Sequence, residues 1–210
     1  MVSLAANAQD QIDFRGIISF NLEKKLSKSF SLTFMNEERF TYDFQELGLA
    51  FFDTGIKYKL TDNLSMNGNY RFLLVRNLDN FYDSRHMFYG DIDVSKPVGR
   101  WTFGGTARFQ SYFYSHVSEG YKRPLVYSRD KLEIKYRVNY AVSPFAEFEL
   151  FVPINHPVRK SVDQVRGTLG LSYTINRYVK IEFYEEIQKL LNRINKDTYI
   201  VSAMEWYFRF

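Results

Sequence analysis

The sequence predicts an all-β fold, an antiparallel up-and-down transmembrane β-barrel of about 10–12 strands with short periplasmic turns and longer extracellular loops. Three observations predict it. Apolar and polar residues alternate along most of the chain, the period-two pattern of strands with two unlike faces. Aromatic residues make up 18% of the 210 residues, with 20 Phe and 16 Tyr against 2 Trp, yet mean hydropathy is only −0.34. A polar average with that aromatic load suits a barrel whose apolar outer belt is flanked by aromatic girdles. The chain also ends on alternating Trp206, Phe208 and Phe210.

Composition excludes other classes. Hydrophobic residues at 45% and charged residues at 25% are incompatible with intrinsic disorder. The longest unbroken apolar runs are Leu49 to Phe52 and Phe72 to Val75, far short of the about 20 residues a membrane-spanning helix needs. No cysteine is present, which removes disulfides, thiolate metal sites and cysteine nucleophiles. The mass of 25.0 kDa suits one domain, residues 9–210. Before it, residues 1–8 are expected to be the end of a signal peptide, because Ala6-Asn7-Ala8 has the small-x-small shape of a cleavage site.

Eleven alternating runs follow in order. Ile18, Phe20 and Leu22 interleave with Ser19, Asn21 and Glu23; Phe30, Leu32 and Phe34 with Ser31, Thr33, Glu37 and Arg39. Phe52, Ile56 and Tyr58 oppose Asp53, Gly55 and Lys57; Met66, Tyr70 and Phe72 oppose Asn67, Asn69 and Arg71. The fifth run sets Phe88, Ile92 and Val94 against Arg85, Asp91 and Asp93, and the sixth Trp101, Phe103 and Phe109 against Thr106, Arg108 and Gln110. The next two are Leu132, Ile134 and Tyr136 against Arg129, Lys131 and Glu133, then Ala146, Phe148 and Leu150 against Glu147 and Glu149. Val165, Leu169 and Leu171 face away from Arg166 and Thr168; Val179, Ile181 and Phe183 face away from Lys180, Glu182 and Glu186. Met204, Trp206 and Phe208 against Glu205 and Arg209 close the series.

Short turns are expected near Lys25, at 61–63, 96–99, 137–140 and 176–177, and long loops at 36–47, 76–84, 114–124, 153–161 and 190–197. Bacterial single-chain barrels use even strand numbers. Either the first run is therefore not a wall strand, giving ten, or one strand is hidden, giving twelve. Glu185 is the one charge expected on the apolar face, near the outer rim. Tyr70, Tyr136, Trp101, Trp206 and Phe208 are expected as interface anchors. Alternation alone also fits a soluble lipocalin-like barrel, whose apolar face would point inward around an apolar ligand.

Several stretches resemble a known family. They are Leu22-Glu23-Lys24-Lys25-Leu26, Glu38-Arg39-Phe40, Tyr70-Arg71-Phe72, Ala107-Arg108-Phe109-Gln110, Pro144 to Glu149, Arg166 to Tyr173, and the terminal Phe. The chain resembles Bacteroidota outer-membrane proteins grouped as domain of unknown function 2490. The resemblance implies a Gram-negative outer-membrane location and a barrel fold, and carries no activity.

The polar phase holds the candidate functional residues, a lumen charge network of Arg39, Arg71, Arg85, Arg108, Arg129 and Arg166 with Glu147, Glu149, Glu182 and Glu186. Arginine's planar fork suits paired carboxylates, and acids nearly match bases, which disfavours a track of one sign. The role expected is structural or that of a narrow passive channel, non-enzymatic and without cofactor or metal. Asp91 and Asp93 are expected to pair with Arg85. A lipid hydrolase or acyltransferase is the enzymatic alternative; it needs a serine and histidine at the rim, and Ser84 with His86, or His116 with Ser118, has the spacing. Phe208 and Phe210 form the expected signal for the outer-membrane assembly machinery. Lys122, Arg123, Arg159 and Lys160 are placed for lipopolysaccharide phosphates. Bases interleave with acids, so no nucleic-acid patch forms despite the net charge of +4. A small solute is a possible further partner.

Overall fold

A computed structural model describes residues 12–77, 79–114, 124–156, 161–192 and 197–210. The strands are β1 (Ile12–Lys25), β2 (Phe30–Thr41), β3 (Glu46–Lys59), β4 (Leu64–Arg76), β5 (Tyr82–Val98), β6 (Trp101–Tyr114), β7 (Leu125–Tyr136), β8 (Val142–Pro153), β9 (Gln164–Thr174), β10 (Val179–Leu190) and β11 (Thr198–Arg209). Each strand pairs with its sequence neighbours, and β1 pairs with β11 to close the barrel.

Among the described residues the strand number is eleven, neither ten nor twelve. All eleven runs are wall strands, and an odd number closes only through one parallel seam. Here β1 and β11 run parallel, from Ile12 against Thr198 to Glu23 against Arg209. The end of β11 is tied into β1, since Phe210 N–H donates to the Glu23 carbonyl and Lys25 N–H to the Phe210 carbonyl.

Side-chain parity follows from the pleat. Inward positions bury polar groups, as at Ser19, Asp53, Arg71, Glu149 and Glu182, while outward positions expose Phe52, Phe88, Phe109, Leu132, Leu169 and Phe183. This is the reverse of the lipocalin-like alternative.

Two outer connections are shorter than expected. The ladder between β2 and β3 continues to Thr41 against Glu46, past a bulge at Arg39/Phe40, and that between β4 and β5 continues to Arg76 against Tyr82. Polar residues on both faces hide the strand at Asn36 to Glu38. Outward Asn36 gives its amide to the Phe51 carbonyl at 3.2 Å. The link 42–45 turns through Tyr42, Asp43 and Phe44, all at positive φ, and its strain is offset by contacts with β1. Tyr42 N–H reaches the Asp13 carboxylate and Asp43 N–H the Phe14 carbonyl, both at 3.1 Å. The Phe44 ring covers Gly16, where a Cβ would lie 2.6 Å from it.

The outward face carries more charge than expected. Glu38, Asp130 and Lys189 share its parity with Glu185. Glu185 lies near the middle of β10, not at the rim, and Asp130 near the middle of β7. Each accepts from a serine on the same face, Glu185 from Ser202 at 3.0 Å and Asp130 from Ser128 at 3.1 Å. Tyr70 also sits mid-strand. At the turn end, Trp101 meets Tyr136 at 4.6 Å, Trp206 stacks on Phe208 at 6.4 Å, and Tyr178 on Phe210 at 6.3 Å.

Candidate functional site

The barrel interior is the candidate site, because inward parity from every strand converges there. It is built in levels.

Toward the turn end, β7, β8 and β10 bring lysines against glutamates. Glu133 and Glu147 face each other across β7 and β8, a repulsive pair. Lys131 meets Glu147 at 3.0 Å, and Lys135 meets Glu133 at 3.6 Å and Glu182 at 3.2 Å. Lys180 also reaches Glu182, at 2.8 Å, and lies 3.7 Å from the Tyr207 ring centroid. Buried Glu205 is held instead by two phenols, Tyr184 O–H at 2.6 Å and Tyr207 O–H at 2.5 Å.

At mid-height on β3 to β6, the Arg71 Nε donates to Asp53 at 2.8 Å and Tyr89 O–H donates to the same carboxylate at 2.6 Å. Arg108 holds Asp91 with both arms of its fork, at 2.6 and 2.7 Å. Tyr89 thus stands between two guanidiniums, 5.3 Å from Arg71 and 4.0 Å from Arg108, while Arg71 also lies 3.7 Å over Phe51. Arg85 is not the partner of Asp91. The cross-strand register sets Asp91 directly opposite Arg108. Asp93 accepts from Thr106 at 2.8 Å and Asn67 at 3.1 Å. Arg85 lies higher, lining the upper cavity.

One level up, β2 and β7 to β10 form a third group. Arg39 pairs with Glu37. Glu149 takes Arg129 at 2.5 Å and Arg166 at 3.4 Å. Glu186 accepts from Gln188 and Thr168, and Arg166 Nε stands 3.8 Å from it. Beside this group, Phe51, Leu73 and Met87 form an apolar cluster, and Ile17, Val201 and Ala203 another. Together they make a waist, half apolar and half ionic.

Two cavities flank it and share no lining residue. The lower, of about 570 Å³, is lined by Asn21, Asn67, Asn69, Asp91, Arg108 and Lys180, among others. The upper, of about 1230 Å³, is lined by Arg15, Arg39, Glu46, Arg76, Arg85 and Asp197, among others.

The fold therefore brings together Arg39, Arg129, Arg166, Glu149 and Glu186 at the waist, and Arg71 with Arg108 around Tyr89. Glu147 and Glu182 belong to the lysine level. Asp53, Glu37, Lys131, Lys135 and Lys180 were candidates by parity that residue-type reasoning passed over. Tyr89 and Tyr184 share that parity, but an aromatic in a barrel sequence reads as outward.

Ser84 and His86 both face outward near the start of β5. His86 Nδ1 lies 2.7 Å from Tyr70 O–H, and its ring sits 5.5 Å from Phe72. The other rim pair, His116 with Ser118, and the loop bases Lys122, Arg123, Arg159 and Lys160 lie outside the described residues.

The architecture is shared with solved outer-membrane proteins. A NanC porin superposes with a TM-score of 0.57 at 12% identity, over 94% of this chain and 99% of that one. A bacterial polysaccharide outer-membrane secretin gives 0.53 at 8% identity, over 88% of this chain and 63% of that one. The β domain of the Bordetella autotransporter BrkA gives 0.52 at 12% identity, over 88% and 83%. At such identities the likeness is one of fold. No curated protein matches the sequence. The profile of a family described as protein of unknown function, DUF2490, matches residues 17–199, and the chain belongs to that family.

Proposed function

We propose that the protein is an integral outer-membrane β-barrel of a Gram-negative cell, non-enzymatic, acting as a narrow passive channel with a charge-paired lumen. The stretches quoted above support a Bacteroidota source. The observation that carries the membrane reading is the inverted distribution of side chains. Phe88 is 54% exposed, Leu132 67% and Leu169 70%, whereas Asp53 is 3% exposed and Glu149 5%. Water does not stabilise an apolar surface of that extent on a monomer, and lipid does. The polar cavities above and below the waist support the channel role. Its partners on this reading are outer-membrane lipid, lipopolysaccharide and the assembly machinery that reads the strand ending in Phe208 and Phe210.

The first test is a gel of detergent-extracted outer membranes, boiled and unboiled. A folded barrel migrates anomalously until boiled; a protein found in the soluble fraction without such a shift overturns the reading. Purified protein in a planar bilayer should then give discrete conductance steps. A silent, heat-modifiable barrel would leave a structural role in place of the channel.

Glu185 gives a second test. A mid-strand carboxylate facing lipid is costly, though less than a cation. Glu185→Leu should stabilise the barrel by about 1 kcal/mol in urea unfolding from phospholipid vesicles. A loss of stability would show that Glu185 faces protein.

A further inference from the structure

The waist holds unused hydrogen-bonding capacity, most of it on donors. The carboxylates are engaged. Glu149 takes a guanidinium on each oxygen, Glu37 takes Arg39, and Glu186 takes Gln188 on one oxygen and Thr168 on the other. The guanidiniums are not. Each offers five donors, yet among the described residues Arg39 and Arg129 bond through Nε alone and Arg166 through Nη1 alone. Arg108 shows what a satisfied fork looks like, with two bonds to one carboxylate.

Arg166 adds an independent sign. Its side chain is 10% exposed, and its Nε is buried without a hydrogen-bond partner. A buried donor left unmade is costly, so the arrangement calls for an acceptor. Arg129 and Arg166 share the Glu149 carboxylate, at 2.5 and 3.4 Å, and Arg166 Nε lies 3.8 Å from Glu186, so these two guanidiniums converge at the waist. Arg39 and Gln188 also line the upper cavity, which gives access from that side.

We propose that the waist is a binding site for a small oxyanion, a carboxylate or phosphate group, held by the free donors of Arg39, Arg129 and Arg166. The inference rests on the channel reading and names its solute class. The free donors attract an acceptor-only group, whereas Glu149 and Glu186 have both oxygens engaged and Glu37 keeps one oxygen beside its bond to Arg39.

The test uses the full chain in planar bilayers. In a KCl gradient, wild type should show a reversal potential of chloride preference, and inorganic phosphate or acetate should reduce the chloride current. Arg166→Gln should weaken that block about tenfold, the cost of one charge-assisted bond. Arg166→Lys should keep the chloride preference but not the block, because lysine keeps the charge and loses the fork. Heat-modifiability on gels checks each variant's folding; should Arg166→Gln not fold, Arg39→Gln carries the test. Conductance without anion preference, or block unchanged in the variants, overturns the site and leaves the channel. No conductance at all overturns both.

Discussion

Arg71→Ala is expected to cost about 3–5 kcal/mol, the largest loss from a single substitution in the lumen. The Arg71 and Asp53 side chains are 9% and 4% exposed, so lumen water screens the pair little. Truncating Arg71 leaves the Asp53 carboxylate buried with only the Tyr89 phenol. It also removes the guanidinium from over the Phe51 ring, at 3.7 Å. The cost is a penalty of separation, not a measure of the pair's net worth. Breaking a buried pair strands a charge, whereas replacing both partners by apolar groups of similar size is often neutral. Asp53→Leu combined with Arg71→Met should therefore recover most of the loss. Recovery stays incomplete because Tyr89 O–H then lacks its acceptor, and adding Tyr89→Phe should remove that residue of cost. Equilibrium urea unfolding in phospholipid vesicles measures each variant. A loss below about 1 kcal/mol for Arg71→Ala would place the pair in the class of exposed, screened ion pairs and contradict the packed lumen.

The wall of the barrel was legible in the sequence, and its interior wiring was not. Period-two alternation is a local property, so Phe20, Phe52 and Phe183 declare their face from their neighbours alone. Each of the eleven runs corresponds to a strand on that account. Closure is a long-range property, and alternation says nothing about whether Ile12 meets Thr198 in parallel. The expectation of an even number came from other barrels, and this chain departs from it. Height was hidden for the same reason. Parity put Arg85, Arg108 and Asp91 on one face, but only the β5–β6 register decides that Asp91 meets Arg108. Where residue type and parity conflict, type misled. Asn36 and Glu38 look like a loop but face outward on β2, and Tyr184, an aromatic on the polar phase that the alternating runs leave unassigned, donates to a buried glutamate.

Phe183→Arg is expected to cost about 2–4 kcal/mol, and where that cost falls along the strand is the sharper result. Phe183 faces outward on β10, beside Leu171 and Met204 on the adjoining strands. It lies well inside the strand rather than at either end. An arginine there must either place its charge in hydrocarbon or bend toward an interface. The same change at Tyr173 or Phe208, next to the turn end, should cost only about 0–1 kcal/mol, because the guanidinium reaches headgroups and water. A soluble barrel makes the opposite prediction. On a water-facing wall, arginine for an exposed phenylalanine removes apolar surface from water and is neutral or stabilising at every height. Urea unfolding of the three variants in vesicles thus reads both the sign and the gradient. A positive cost that declines from Phe183 to Phe208 requires a slab of low dielectric around the barrel, and a flat or negative series would reverse the outward assignment of the whole apolar face.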